Sequence, residues 1–340
     1  MGAGGCCQGQ NVEIKDNTFF RQKTMEKSKY LQDIQTKEEE LFMKYYNNMK
    51  EKDIVLKNLI LNQDIYFALI NNILSNDSLE SITFSNILFE EKIDVLLQLF
   101  HIVKDIHTIK HLCFEFISNL GNKKGKSLYE IVKKNLGLES LILRELDLDK
   151  EDAEFLGRII AKCTDNLTRI EIESIQLFEY TNYLLDGFNV NNCIKELYLN
   201  KIGLKWDNFE FLISALSTNS CLVILDVSNN PIGKGTNVLI QFPLENLNEL
   251  RMNNCNINDN AFASLCEGLI KCKKVETIEL NYNGITQAAK SVCALKKLFE
   301  KNGDVIAIMS MKNNEITRED IEEFIDGSDL KKILIDSKSF

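Results

Sequence analysis

One eleven-residue stretch constrains this chain more than any other: Leu222-Val-Ile-Leu225-Asp-Val227-Ser-Asn-Asn230-Pro-Ile232. Apolar residues stand at its first, fourth, sixth and eleventh places, and an asparagine at its ninth. Alternation along a short strand turns the fourth and sixth side chains into a core. A ninth-place amide can hydrogen-bond backbone groups where the chain turns, and the next segment returns as a helix. Such a unit cannot bury its apolar edge alone, so copies must stack.

The copies are there. The pattern restarts at Leu79, Ile109, Leu138, Leu167, Ile194, Leu222, Leu247, Val275 and Ile306, with a truncated tenth at Leu330. Most starts lie 27 to 31 residues apart, which leaves room for about three helical turns outside each strand. Two return segments, Trp206 to Leu216 and Ala261 to Ile270, carry helical periodicity. The series, from about Leu56 to Ile335, resembles the leucine-rich repeats of the ribonuclease-inhibitor-like subfamily, to which the Ran GTPase-activating protein also belongs. That resemblance implies an α/β, right-handed solenoid of horseshoe form, with a parallel sheet on the concave face and helices on the convex face. The ninth place is asparagine only at Asn230, Asn283 and Asn314 and is Cys255 once; at Ile87, Ile117, Leu146, Ile175 and Ile202 it is apolar. Those earlier turns must satisfy their backbone groups in another way.

Three regions follow. Residues 79–340 are the solenoid. Residues 37–78 are expected to form a helical N-terminal cap, with Leu41, Tyr45 and Met49 on one face and a degenerate unit, Leu56-x-x-Leu59-x-Leu61, with Tyr66 at its eleventh place. Residues 1–36 are polar and aperiodic after a start of Met1-Gly2-Ala3-Gly4-Gly5-Cys6-Cys7, which resembles an N-myristoylation site with Cys6 where the usual pattern has Ser or Thr. One myristoyl chain binds membranes with K on the order of 10⁴ M⁻¹, so a second anchor is needed. No polybasic patch supplies it, and palmitoylation of Cys6 and Cys7 would. The expectation is lipidation at Gly2, Cys6 and Cys7, a flexible tether, and a cytoplasmic body held at the inner face of a membrane.

Composition narrows the function. The formal net charge is −10, and no basic cluster interleaved with aromatics appears, which argues against nucleic acid as a partner. No apolar run approaches the roughly 18 residues of a membrane span. Ten cysteines are scattered without a secretory signal, so a reducing compartment is expected and interior cysteines read as small core hydrophobes. Gly121-Asn-Lys-Lys-Gly125-Lys126-Ser127 imitates a phosphate loop but has three residues between its glycines where the motif needs four. His107 and His111 stand four apart, yet the repeat register puts His111 on a strand, and the shared helical face a metal would need is lost. No GxSxG turn or nucleophile–base–acid set can be assembled. The expectation is no enzyme, no cofactor and no metal.

The concave face carries more. Alternation turns the third, fifth and seventh residues of each repeat onto it. In the middle repeats these include Arg169, Glu171, Glu173, Glu196, Tyr198, Asp226, Glu249, Arg251 and Glu279. Carboxylates predominate around one tyrosine. Strands are about 4.8 Å apart, and like charges at that spacing cost roughly 1 kcal/mol even in water. A groove for the basic segment of a protein partner accounts for them, with Tyr198 as anchor. The expected function is a non-catalytic scaffold. The alternatives are a regulator of a small GTPase and a structural component of a cytoskeletal or ciliary assembly.

Overall fold

The computed structural model describes residues 52–61, 73, 76–89, 103, 106–117, 124–162, 166–233 and 245–336. Gly2, Cys6, Cys7, the tether and the Lys37 to Lys50 segment lie outside the described residues. One compact unit runs from Met49 to Phe340.

Eleven strands form one sheet, in sequence order and parallel throughout. They are β1 (Asp53–Leu61), β2 (Ser81–Phe89), β3 (His111–Glu115), β4 (Ser140–Arg144), β5 (Arg169–Glu173) and β6 (Glu196–Asn200), then β7 (Ile224–Asp226), β8 (Glu249–Arg251), β9 (Thr277–Glu279), β10 (Ile308–Ser310) and β11 (Ile333–Leu334). From β2 onward, each strand begins at or just after the third place of the repeat read from the sequence. Helices return the chain between strands: α1 (Lys124–Lys134), α2 (Lys150–Ala161), α3 (Thr181–Leu185), α4 (Trp206–Leu216), α5 (Asp259–Leu269), α6 (Ala289–Asn302) and α7 (Gly327–Leu330). The α4 bounds are those its periodicity implied. α3 is shorter, flanked by 3₁₀ turns at Phe178–Tyr180 and Asp186–Asn189.

The core is built from the register. First-place residues from Leu79 to Ile306 are at most 1% exposed, and the fourth- and sixth-place pairs, such as Leu141 and Leu143 or Leu225 and Val227, are equally hidden. Eleventh-place residues Leu177, Leu204, Ile232, Ile257, Ile285 and Ile316 close the wedge. Phe84 and Phe114 occupy the sixth place on adjacent strands and stack with centroids 5.2 Å apart. These layers make the body an α/β leucine-rich-repeat solenoid.

The register also corrects the N-terminal reading. Ile54 pairs with Ile82 and Leu56 with Phe84, so the first repeat begins at residue 51, five residues before the expected Leu56 start. Leu56, Leu59 and Leu61 imitate the consensus spacing. The ladder puts Ile54 and Leu56, 7% and 3% exposed, at the fourth and sixth places, where alternation turns them into the core.

The turns after the strands use one backbone device. The eighth residue of every repeat from Asn58 to Asn313 has positive φ: among them Phe116 at 52°, Glu145 at 48°, Ser174 at 54°, Lys201 at 53° and Tyr282 at 58°. This left-handed residue aims its N–H at the neighbouring repeat. Phe116, Glu145 and Ser174 donate to the carbonyls of Arg144, Glu173 and Asn200 over 2.9–3.1 Å. Here is how turns without a ninth-place asparagine satisfy their backbone, while apolar Ile87, Ile175 and Ile202 fill the core.

Where asparagine is present it adds a second tie. The Asn230 amide donates to Leu199, Val227 and Ser228 carbonyls and accepts from Ile202 and Leu204 N–H, all at 2.7–3.1 Å. Asn283 repeats the arrangement one unit on, toward Met252, Leu280 and Asn281 carbonyls and the Cys255 and Ile257 amides. Cys255 fills the same place with a thiol that donates to the Val227 carbonyl at 3.3 Å.

Candidate functional site: the open face of the sheet

The ladder aligns the outward side chains in three rows. Ser140, Arg169, Glu196, Ile224, Glu249 and Thr277 are cross-strand partners in the first row. Ile142, Glu171, Tyr198, Asp226, Arg251 and Glu279 are partners in the second. Glu115, Arg144, Glu173 and Asn200 are partners in the third. The concave-face residues expected from the sequence therefore lie side by side on adjacent strands.

Arginines divide this face into two clusters. Arg144 reaches Glu115 at 3.2 Å and Glu173 at 3.1 Å and hydrogen-bonds Glu171 through Nε at 2.7 Å. Arg169 pairs with the other oxygen of Glu171 at 2.9 Å and with Glu196 at 2.5 Å. Glu171, with its side chain 7% exposed, is thus held between two guanidinium groups. The Arg169 guanidinium also lies 4.4 Å from the centroid of the Tyr198 ring and donates to its hydroxyl at 3.3 Å. Burial pushes the Tyr198 phenol above its ordinary value, against the lowering pull of Arg169.

The second cluster centres on Arg251. Its Nε donates to Glu249 at 2.5 Å, while Glu279 stands at 3.6 Å and Asp226 at 4.0 Å. Asn253 donates to the far oxygen of Glu279 at 2.8 Å. Asp226 accepts from the Ser228 N–H at 2.9 Å. Burial raises its carboxyl above the usual range, and the bonds from Ser228 and the charge of Arg251 only partly offset this.

Between β3 and β9 seven carboxylates (Glu115, Glu171, Glu173, Glu196, Asp226, Glu249, Glu279) thus meet three arginines. A surplus of four negative charges remains. The surplus is reachable at Glu173, Glu196 and Glu279, whose side chains are 39%, 36% and 31% exposed, whereas Glu171 and Asp226 are spoken for by the fold. Sequence reasoning passed over Glu115 and left Arg144 out of the site. The same alternation rule puts both in the third row.

The other sequence constellations resolve into structure. Gly125 lies in the first turn of α1, and its N–H donates to the buried Asp152 carboxylate at 2.7 Å. His111 opens β3 opposite Ser81 and Ser140, and His107 lies in the preceding turn. Among the described residues, no group of three His, Cys, Asp or Glu is placed to hold a metal, and no helix is long and apolar enough to cross a membrane. Burial pushes the Cys113 and Cys272 thiols up to about 11 and Cys255 to about 12, which makes them poor nucleophiles.

No protein-family model matches the chain. It is 27% identical over 164 residues to a protein phosphatase 1 regulatory subunit 37 homolog of Caenorhabditis briggsae, covering 45% of this chain and 18% of that protein. It is 36% identical over 110 residues to the mouse NACHT, LRR and PYD domains-containing protein 5, covering 31% of this chain and 10% of that protein. The chain thus spans less than a fifth of either relative. Among solved structures, a chain of the yeast Rad7 and Elc1 complex superposes with a TM-score of 0.50 at 16% identity, over 91% of this chain and 84% of that one. The repeat register, the unbroken parallel ladder and the superposition on that solved chain give this chain the fold of an α/β leucine-rich-repeat solenoid.

Proposed function

We propose that this chain is a non-catalytic interaction scaffold that takes a basic, extended protein segment on the open face of its sheet. The carrying observation is the surplus of carboxylates around Tyr198, with Glu173, Glu196 and Glu279 open to solvent. An incoming Lys or Arg meets carboxylates whose arginine partners are already fixed by the ladder, so little side-chain entropy remains to be lost. Tyr198 offers an aromatic surface beside them. Two likenesses support a partner-holding role: one relative is named a phosphatase regulatory subunit homolog, and the solved neighbour is part of a two-protein complex. The return segments, at about three helical turns, favour the ribonuclease-inhibitor-like subfamily.

Lipidation at Gly2 with palmitate at Cys6 and Cys7 gives this scaffold its place, on the cytosolic face of a membrane. Metabolic labelling with alkyne myristate and alkyne palmitate tests it. Wild type takes up both labels and sediments with membranes, and Gly2→Ala takes up neither and stays soluble. Labelling absent from wild type removes the anchor from the account.

The face is tested by isothermal titration with a synthetic Lys/Arg-rich peptide and an acidic peptide of equal length. The basic peptide binds, more weakly as salt rises. Glu173→Gln/Glu196→Gln/Glu279→Gln weakens it at least tenfold with an unchanged circular-dichroism spectrum. Glu171 and Asp226 are unsuited to such exchange, because both are buried and a neutral side chain there would take an ion-pair partner from Arg144 and Arg169 or from Arg251.

A further inference from the structure

Three of the seven described cysteines lie outside the buried core: Cys293 is exposed on α6 and has no cysteine at the equivalent place of a neighbouring repeat, whereas the other two have each other. Cys193 and Cys221 are half-buried, 28 residues apart in the chain, and each immediately precedes the first place of its repeat. Their local geometry is the same. Asn191 accepts from the N–H of Cys193 and of Ile194, both at 3.2 Å, and Asn219 accepts from Cys221 at 2.8 Å and Leu222 at 2.9 Å.

Hydrogen bonds bracket the pair on the way into the sheet. The Asn219 side chain donates to the Ile194 carbonyl at 3.3 Å, and the N–H groups of Val223 and Ile224 donate to the Lys195 carbonyl at 2.8 and 3.0 Å. Glu196 is then the ladder partner of Ile224. Equivalent residues of neighbouring repeats are therefore stacked at about the strand spacing of 4.8 Å. That lies inside the Cα separation of about 4.4–6.8 Å that a disulfide spans. Both positions lie in connections between helix and strand, outside the ladder, and the Cys193 thiol donates to Asn192 at 3.4 Å, a bond that closure would exchange.

We infer that Cys193 and Cys221 form a reversible oxidation site that closes to an inter-repeat disulfide with hydrogen peroxide as oxidant. One thiol gives up its proton and the thiolate attacks a peroxide oxygen; the O–O bond breaks, a sulfenic acid forms, and the leaving hydroxide takes up that proton and departs as water. The second thiol loses its proton, its sulfur attacks the sulfenic sulfur, the S–O bond breaks and a second water leaves. Two thiols and one peroxide thus become one disulfide and two waters, and a dithiol reductant reverses it. Half-burial admits peroxide, while Cys113, Cys255, Cys266 and Cys272 are buried with thiols raised by desolvation. The bond would staple two repeats three residues from Glu196, at the centre of the charged face.

The test uses the reduced full-length protein, exposed to peroxide, alkylated, digested and analysed by mass spectrometry. The expected product is a Cys193–Cys221 linked peptide, lighter by two hydrogens than the sum of its parts and recovered as two alkylated peptides after dithiothreitol. Thermal unfolding of the oxidised wild type moves up by several degrees, and Cys193→Ser and Cys221→Ser show no such shift. Recovery of both cysteines as separate alkylated or sulfinic peptides, or linked to other cysteines, overturns the inference. The wild-type peptide map decides this even if a serine variant folds poorly.

Discussion

At the residue scale, asparagine does two jobs in this chain, and only one is announced by the consensus. Ninth-place Asn230 supplies five hydrogen bonds to two repeats from a 1% exposed position. Asn230→Ala strands those backbone groups away from water and should cost about 2–4 kcal/mol in urea denaturation; a loss below about 0.5 kcal/mol would show that water replaces the amide. A second series stands three residues before the repeat start, at Asn76, Asn135, Asn191 and Asn219, all buried. These side chains fold the helix-to-strand connection and, as Asn135 to Val103 and Asn191 to Ile160, reach back one repeat. Their recurrence is visible in the sequence, but the consensus does not mark the place, so the reading missed it. The eighth place was missed as well, although asparagine, which tolerates positive φ better than most residues, fills it at Asn58, Asn86, Asn229, Asn254 and Asn313. Lys201, at φ 53°, suits no β-branched side chain. Lys201→Val should therefore lower the unfolding midpoint by about 1–2 kcal/mol, and Lys201→Gly should leave it within about 1 kcal/mol of wild type. Equal effects would refute the strain.

At the scale of elements, the repeat's length and periodicity told more than any motif. α4 could be bounded from spacing because its apolar residues recur on one face, and the strands because alternation and burial agree. β1 could not, since Leu56, Leu59 and Leu61 satisfy the consensus in a register the sheet rejects. Helices are packed closely enough that glycine is a spatial requirement: a Cβ on Gly157 of α2 would lie 2.1 Å from the Tyr183 carbonyl oxygen of α3. Gly157→Ala, which helix propensity alone would favour by about 1 kcal/mol, should instead destabilise by about 2–4 kcal/mol; a stabilised variant would contradict the packing. The start of α5 carries an acid-sensitive tie. Asp259 accepts from the Thr286 N–H and hydroxyl, each at 2.8 Å, and from Ser291 at 2.5 Å. Burial pushes its carboxyl up, but these bonds outweigh it and hold the group below its ordinary 3.8. A depressed folded value stabilises above the unfolded one, so this contribution is present above about pH 4 and fades as the pH falls through the folded value. Asp259→Asn should flatten the urea midpoint between pH 5 and 3, and an unchanged slope would remove the group from the acid response.

At the scale of the whole solenoid, repetition converts single residues into rows. The sequence allowed the rows to be written down, since stacking in phase follows from one repeat length and strict alternation. It did not disclose how charges within the rows share partners. Glu171 reads as a free carboxylate in one dimension, yet it lies between Arg144 and Arg169. Tyr198 reads as an anchor, yet its ring already carries the Arg169 guanidinium. Neighbours on the adjacent strand, 27 residues away for Arg144–Glu171 and 29 for Arg169–Tyr198, decide such pairings, and side-chain reach across a strand is not encoded in local spacing. What survives is the surplus itself, concentrated at the accessible Glu173, Glu196 and Glu279. That surplus is the proposed docking feature for a basic segment. Titration of a Lys/Arg-rich peptide into wild type and Glu173→Gln/Glu196→Gln/Glu279→Gln, at low and at physiological salt, tests it most directly. Binding that weakens with salt and at least tenfold with the substitutions is the predicted result; binding indifferent to both, or equal for the acidic peptide, would contradict it.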